Sequence, residues 1–282
     1  MAAHVRRFEE RDIDRAIALT DLESWGYTRA DFVRLLGLHP EGCFVAEDGG
    51  HVVGLLSTTA YGRLAFLGAV IVQPDRRGTG IGDGMMRAAL EYLDDRGIET
   101  VRLNAYLNVV PFYERLGFRP EYENIRWTGP PMDSVPYTCR PIAREDLPRI
   151  GQFDRIFFGG DREDLLRWLA KEFPRTFLVA ERQGAVAGYL VGNTSSSACE
   201  IGPWIVNPNR EGAGPDLFHG LVRTANARSV AFTSPAPNRR AHGLARRLGF
   251  KEVFRTLRMV RGKDAHHGRP EGVWALAGLE KG

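Results

Sequence analysis

Cysteine and lysine are scarce in this chain, and each shortage excludes something. Three cysteines, Cys43, Cys139 and Cys199, stand far apart in 282 residues. They offer neither the close pairs of a metal site nor the density of a disulfide framework. A metal-free protein of a reducing compartment, the cytoplasm, is therefore expected. Lysine supplies 4 basic residues and arginine 34, against 35 acidic ones, for a net charge of +3. That excess is too small to serve as a footprint for nucleic acid. The charge that exists comes as guanidinium forks, which suit phosphates and carboxylates. Long apolar runs are missing too. No window approaches 18 uninterrupted apolar residues and the first dozen residues turn charged at once, so neither a membrane span nor a secretory signal is expected. His266 and His267, beside Gly268, have no further ligands at metal spacing and are expected in a solvated loop.

What is present is enough apolar material for real cores, 43% of residues with 10% aromatic, over a length that suits two compact domains. The chain also repeats itself, which bears on architecture before any motif does. At an offset of 134, Arg6, Phe8, Asp12, Ile13 and Arg15 fall on Arg140, Ile142, Asp146, Leu147 and Arg149. Val45-Ala46-Glu47 falls on Val179-Ala180-Glu181, and Leu67 to Pro74 overlays Ile201 to Pro208. At an offset of 132, Arg115-Leu116-Gly117-Phe118 meets Arg247-Leu248-Gly249-Phe250. Each copy reads as strand, helix, helix, hairpin, strand, helix, strand, helix, strand, a mixed α/β (α+β) layer structure. Thr28 and Asp31 predict a capping box opening the second helix, with Phe32, Leu35 and Leu36 as its buried stripe and Gly37 as its stop. The division expected is a first domain over 1–128, a linker over 129–137 marked by Gly129, Pro130, Pro131 and Pro136, and a second domain over 138–282.

Leu64 to Val72 is an apolar run suited to a central strand. It leads through Gln73-Pro74 into Asp75-Arg76-Arg77-Gly78-Thr79-Gly80-Ile81-Gly82 and then a helix with Ile81, Met85, Ala88, Ala89 and Tyr92 on its inner face and Gly97 at its end. Glycines at 78, 80 and 82 permit positive φ and close backbone approach, so successive N–H groups can converge on a diphosphate at the positive helix end. A dinucleotide fingerprint does not fit, because the turn comes after a hairpin region and not a first strand. A nucleotide-triphosphate loop does not fit either, since no Gly-Lys-Ser/Thr ending exists.

These residues resemble the GCN5-related N-acetyltransferase (GNAT) family, whose cofactor motif is Arg/Gln-x-x-Gly-x-Gly/Ala after a central strand; Arg77 to Gly82 matches it. Tyr113-Glu114-Arg115-Leu116-Gly117-Phe118 resembles the family's later Tyr-x-x-x-Gly-Phe segment. The resemblance covers residues 4 to about 128 well and, through the repeat, a weaker version of it reaches the C-terminus, as in the tandem two-domain subgroup. It implies two tandem domains, each a mixed, mostly antiparallel twisted sheet flanked by helices. It implies acetyl-coenzyme A as co-substrate, held by Val70, Ile71 and Val72 on the strand, by Arg76, Arg77, Gly78, Thr79, Gly80, Ile81, Gly82 and Asp83 in the turn, and by Asn104, Asn108 and Phe112 further on. Tyr113 is the expected catalytic residue, protonating the leaving thiolate. Tyr106 stands where the family usually has Asn, and Phe66-Leu67-Gly68-Ala69 carries no carboxylate where many relatives have a general base. Glu23, Glu47 and Glu200 are weaker base candidates, and a water chain is the expectation.

The second copy reads as degenerate. Arg77 becomes Glu211, Gly82 becomes Asp216, Pro215 removes an N–H donor, and Tyr113 becomes Ala245, although Asn238 and Ala241 keep the family's Asn-x-x-Ala spacing. This copy is expected to support the fold or to wall the acceptor pocket, with Phe157 to Arg162 and Cys199 to Trp204 as the segments concerned. The implied activity is direct transfer of acetyl to a primary amine of a small molecule, with Trp25, Tyr27 and Tyr61 as candidate pocket residues. No nucleic acid or membrane partner is expected, and the chain is a monomer or homodimer. Two alternatives stand beside this: a mycothiol synthase-like enzyme with the second copy active, and a non-catalytic acetyl-coenzyme A sensor or interaction protein.

Overall fold

The computed structural model describes residues 3–282 except 131, 134, 196–197, 226 and 264, so Pro131 of the expected linker lies outside the described residues. The described chain divides into two compact units. One runs to Leu103 and includes Lys281; the other runs from Asn104 to Glu280 and includes Gly282.

In the first unit the sheet order is β1 (His4–Arg7), β2 (Cys43–Asp48), β3 (His51–Tyr61), β4 (Leu64–Val72), β5 (Thr100–Tyr106). All neighbours are antiparallel except β4 and β5, which run parallel. Alternation along β2 explains the layers. Cys43 and Val45 point toward α1 (Ile13–Asp21) and α2 (Arg29–Leu38), sharing a core with Ile13, Leu19, Phe32 and Leu35. Phe44 points the other way, edge-on to Tyr92 of α3 (Ile81–Asp95) at 5.9 Å. Each fully buried large side chain of this kind contributes about 1.5–3 kcal/mol. The Thr28–Asp31 capping box forms as expected, but α2 passes through Gly37 and ends at Leu38. Its stop is His39, whose backbone leaves the helical region ahead of Pro40. Gly97 does take the left-handed conformation just beyond α3. The buried face of α3 also uses Met86, Leu90 and Leu93.

The second unit holds α4 (Val110–Arg115), β6 (Arg119–Gly129), β7 (Arg140–Pro141), α5 (Leu147–Phe158), α6 (Glu163–Glu172), β8 (Phe177–Arg182), β9 (Ala185–Asn193), β10 (Ala198–Val206), α7 (Ala213–Ala225), β11 (Ser229–Pro235), α8 (Arg239–Arg247), β12 (Lys251–Gly262) and β13 (Val273–Ala275). Its strands run β12-β6-β11-β10-β9-β8-β7, and β13 pairs with β10. β6, the last strand of the first repeat copy, pairs antiparallel with both β11 and β12 of the second copy. The sequence repeat and the packing units therefore divide the chain at different places.

The repeat survives in side-chain detail. Arg6 grips Asp12 with two hydrogen bonds (2.7 and 2.9 Å) and reaches Glu47 at 2.8 Å; Arg140 grips Asp146 (2.6 and 3.0 Å) and reaches Glu181 at 3.2 Å. In each copy this clamp ties the first strand to the turn that opens the first helix. Burial pushes the Asp12 carboxyl up, but Arg6 and the Glu9 N–H outweigh it and hold the group below its ordinary value. Asp146 is lowered chiefly by Arg140.

Candidate functional site

β4 changes character halfway along. Its pairing with β5 runs from Leu64↔Thr100 to Leu67↔Leu103 and stops, while β4 itself continues to Val72. On its other side a bulge sets Ala69 and Val70 against the single residue Leu56 of β3, and Ala69 takes a positive φ of 49°. A bulge of this kind bends the strand and re-aims its polar groups. Val70 and Val72 are half-buried and Ile71 is buried. The bulge had no signal in the sequence, because alanine does not advertise a left-handed backbone.

Beyond β4 the chain makes one 3-10 turn, Pro74–Arg76, and then the glycine segment. Gly78 and Gly80 both sit at positive φ, 75° and 86°, and Gly80 is the N-cap of α3 with no side chain to fill that role. Space around both glycines is open, so it is the backbone conformation that requires glycine there. Gly82 lies inside the first helical turn with Ile81 and Asp83. The first N–H groups of that helix have no acceptor within it and carry the positive end of its dipole. Thr79 Oγ1 donates to the Arg76 carbonyl at 2.7 Å, bracing the turn.

Both predicted arginines are held by carboxylates. Arg76 pairs with Asp48 at 3.1 Å; Arg77 donates to the Val72 carbonyl at 2.9 Å and to Glu23 at 2.5 Å. Both guanidinium groups are about half exposed. A third guanidinium, Arg15 on α1, donates to the Val52 carbonyl at 2.9 Å and to the Gln73 side chain. Sequence reasoning aligned it with Arg149 but assigned it no role.

The remaining predicted residues gather in the second unit. Tyr113 on α4 is buried, edge-on to Phe112 (5.1 Å) and Phe118 (6.1 Å), and its hydroxyl makes no hydrogen bond among the described residues. Burial raises its pKa above the ordinary phenol value. Asn104 donates from Nδ2 to the Leu279 carbonyl (2.7 Å) and accepts at Oδ1 from Asn124 (2.8 Å), so much of its amide is engaged. Asn108 is exposed in the 3-10 turn Leu107–Val109, and Phe112 is half-buried beneath Arg115.

The other candidates scatter. Glu47 belongs to the Arg6 clamp, and Glu200 pairs with Arg126. Tyr61 donates to the Lys281 carbonyl, while Tyr27 stacks on Phe32 at 5.3 Å with Trp25 beside it. Phe157, Phe158 and Arg162 are core: Arg162 is fully buried in a bidentate pair with Asp154 (2.8 and 2.9 Å). Cys199 to Trp204 is β10 itself. All three cysteines are buried, and burial pushes each thiol up to about 12. Among the described residues no cluster of His, Cys, Asp or Glu fits a metal ion, and no helix is long and apolar enough to cross a membrane.

In the second copy the corresponding turn is closed. Glu211 pairs with Arg240 (2.5 Å), Asp216 accepts from the Thr138 N–H (2.6 Å), and a side chain begun at Gly214 would meet the Trp274 ring at 2.5 Å.

Residues 10–118 match the acetyltransferase (GNAT) family and residues 150–275 match an acetyltransferase (GNAT) domain, so the chain belongs to this family of acyltransferases through both of its copies. It is 25% identical over 264 residues to a holothin acyltransferase of Pseudoalteromonas sp. (strain SANK 73390), covering 92% of this chain and 88% of that protein. To a mycothiol acetyltransferase of Thermobispora bispora it is 35% identical over 99 residues, about a third of each protein. The fold matches the crystal structure of a GCN5-related N-acetyltransferase from Sphaerobacter thermophilus, with a TM-score of 0.69, 18% identity, and 94% and 98% of the two chains covered.

Proposed function

We propose that the first copy binds acetyl-coenzyme A and passes its acetyl group directly to a primary amine of a small molecule. The observation that carries this is the open edge of β4 leading straight into the glycine turn. A diphosphate is met by the N–H groups from Gly78 to Asp83, with Arg76 and Arg77 leaving their carboxylates for it. The coenzyme's extended, amide-bearing arm then lies along β4 as an added strand lies on a sheet edge. Its thioester carbonyl comes to the bulge, where backbone N–H groups between Ala69 and Val72 polarise it as oxyanion charge develops.

The amine must be neutral to attack, and a water chain removes its proton, since Phe66-Leu67-Gly68-Ala69 on β4 carries no carboxylate. Buried, protonated thiols offer no cysteine nucleophile, which favours direct attack over an acyl-enzyme. Tyr113 serves the leaving group. Its raised pKa makes it a weaker acid than a thiol at about 8.5, so it keeps its proton and donates a hydrogen bond to the sulfur as the C–S bond breaks, and the coenzyme leaves as a thiolate that takes its proton from water. The relative that matches nearly the whole chain is named for acyl transfer to holothin, which supports a small-molecule acceptor.

Calorimetric titration with acetyl-coenzyme A tests the reading. One site per chain in the wild type, lost in Gly80→Asp, is expected. No binding overturns it, and binding without turnover across a panel of amines turns it into a sensor.

A further inference from the structure

Beyond the bulge of β10 the second unit uses its own chain where the first leaves an edge open. β10 and β11 pair in parallel from Ala198↔Ser229 to Ile201↔Phe232 and then stop, as β4 and β5 stop at Leu67↔Leu103. β10 also bulges, one residue from the repeat-equivalent place, with Gly202 and Pro203 set against Val191 of β9. Into the gap comes β13. It runs antiparallel to β10, with Ala275 opposite Trp204 and Val273 opposite Ile205. On its far side the Leu276 N–H donates to the Thr233 carbonyl of β11 at 2.9 Å, and Asn238 Nδ2 donates to the Val273 carbonyl at 2.9 Å. Val273, Trp274, Ala275 and Leu276 are all buried. The Trp274 ring covers Gly214 at the start of α7 and packs 5.1 Å from Trp204, which in turn stacks on Phe218.

We propose that residues 273–276 are a built-in occupant of the second copy's cofactor channel. A peptide strand there supplies the amide donors and acceptors that an acyl-coenzyme A arm would bring, and Trp274 covers the helix start where the diphosphate would lie. What the channel is for rests on the reading of the first copy; that β13 fills it rests on the second unit alone. Because the occupant is part of the chain, its effective concentration is about millimolar or higher, and free cofactor competes poorly. The second copy therefore takes no acyl-coenzyme A, and this accounts for its worn turn: with the channel filled, Glu211 and Asp216 repel no ligand.

Hydrogen exchange on the full chain, read by mass spectrometry with and without excess coenzyme A, tests this. In wild type the segments 204–206 and 273–276 should exchange at least about a hundredfold more slowly than the unfolded chain, and coenzyme A should leave both unchanged. Trp274→Ala should speed both segments about tenfold or more while leaving 76–84 as it was. Should that variant not fold, Trp274→Phe should give a smaller acceleration in the same two segments. Rapid exchange at 273–276 in wild type overturns the proposal. So does release of that segment on adding coenzyme A with a second equivalent bound, or no acceleration in either variant. A wild type that binds no coenzyme A sinks the reading of the first copy, and protection at 273–276 still decides this one.

Discussion

The turns at 76–83 and 210–216 descend from one pattern and do opposite things with it. In the first, Gly80 is present for its backbone: φ is 86° and nothing crowds it. In the second, the aligned Gly214 lies inside α7 and is present for space, because the Trp274 ring rests where its side chain would begin. A glycine kept in both copies is thus kept for two unrelated reasons. The same holds for charge. Arg77 is half exposed and holds Glu23 in a pair that a phosphate can break, while Asp216 has turned inward to accept from Thr138.

Substitutions at these aligned positions put the contrast at risk. The largest effect belongs to Gly80→Asp, which combines a left-handed backbone of high cost for most side chains with a carboxylate at the proposed anion site; coenzyme A affinity should fall by about a hundredfold or more, measured by calorimetry. Trp274→Ala should destabilise the second unit by about 3–5 kcal/mol, seen as a lower denaturant midpoint, because the cavity opens among Trp204, Phe218 and Gly214. A loss under about 1 kcal/mol would mean that β13 is only loosely seated. Tyr113→Phe should lower kcat by about 10- to 100-fold with coenzyme A binding nearly unchanged; equal turnover would remove its role.

Acid sharpens the comparison of the two clamps. Asp12 and Asp146 both have folded pKa values below the unfolded value of about 4, so their stabilisation is full above that pH and is lost as pH falls through the lower folded value. Arg6 is 19% exposed and Arg140 44%, so Asp12→Asn should cost more than Asp146→Asn, about 1–2 kcal/mol against less than about 1, by denaturant melts at pH 7. The smallest expected effect is none at all. Glu211→Arg combined with Asp216→Gly should leave the chain with a single coenzyme A site, since Trp274 and not the charge closes the second turn. A second site appearing would reverse that order of causes.

Much of this was legible in the chain. Local signals carried the capping box at Thr28, the left-handed Gly97 and the order of elements in each copy, because caps and turns depend on residues a few positions apart. The repeat carried the paired clamps, since Arg6, Asp12 and Glu47 recur together. Gly37 misled as a stop because a helix end also depends on the residues just past it, here Pro40. The bulge at Ala69, the engagement of Asn104 with Leu279 and Asn124, and the partner of Glu23 stayed hidden. Each joins residues far apart in sequence by backbone or side-chain hydrogen bonds that no spacing encodes.

Composition, periodicity and motif spacing by themselves determined that two related α/β copies stand in tandem and that the first keeps a glycine turn between a central strand and a helix. Only the tertiary structure decided that β6 pairs with strands of the second copy and that β13 lies in the gap between β10 and β11. Strand pairing is settled by which backbone edge is left unsatisfied once the core has formed. The gap beside β10 is closed by whichever chain segment can reach it, and Val273 to Ala275 does so from nearly seventy residues away.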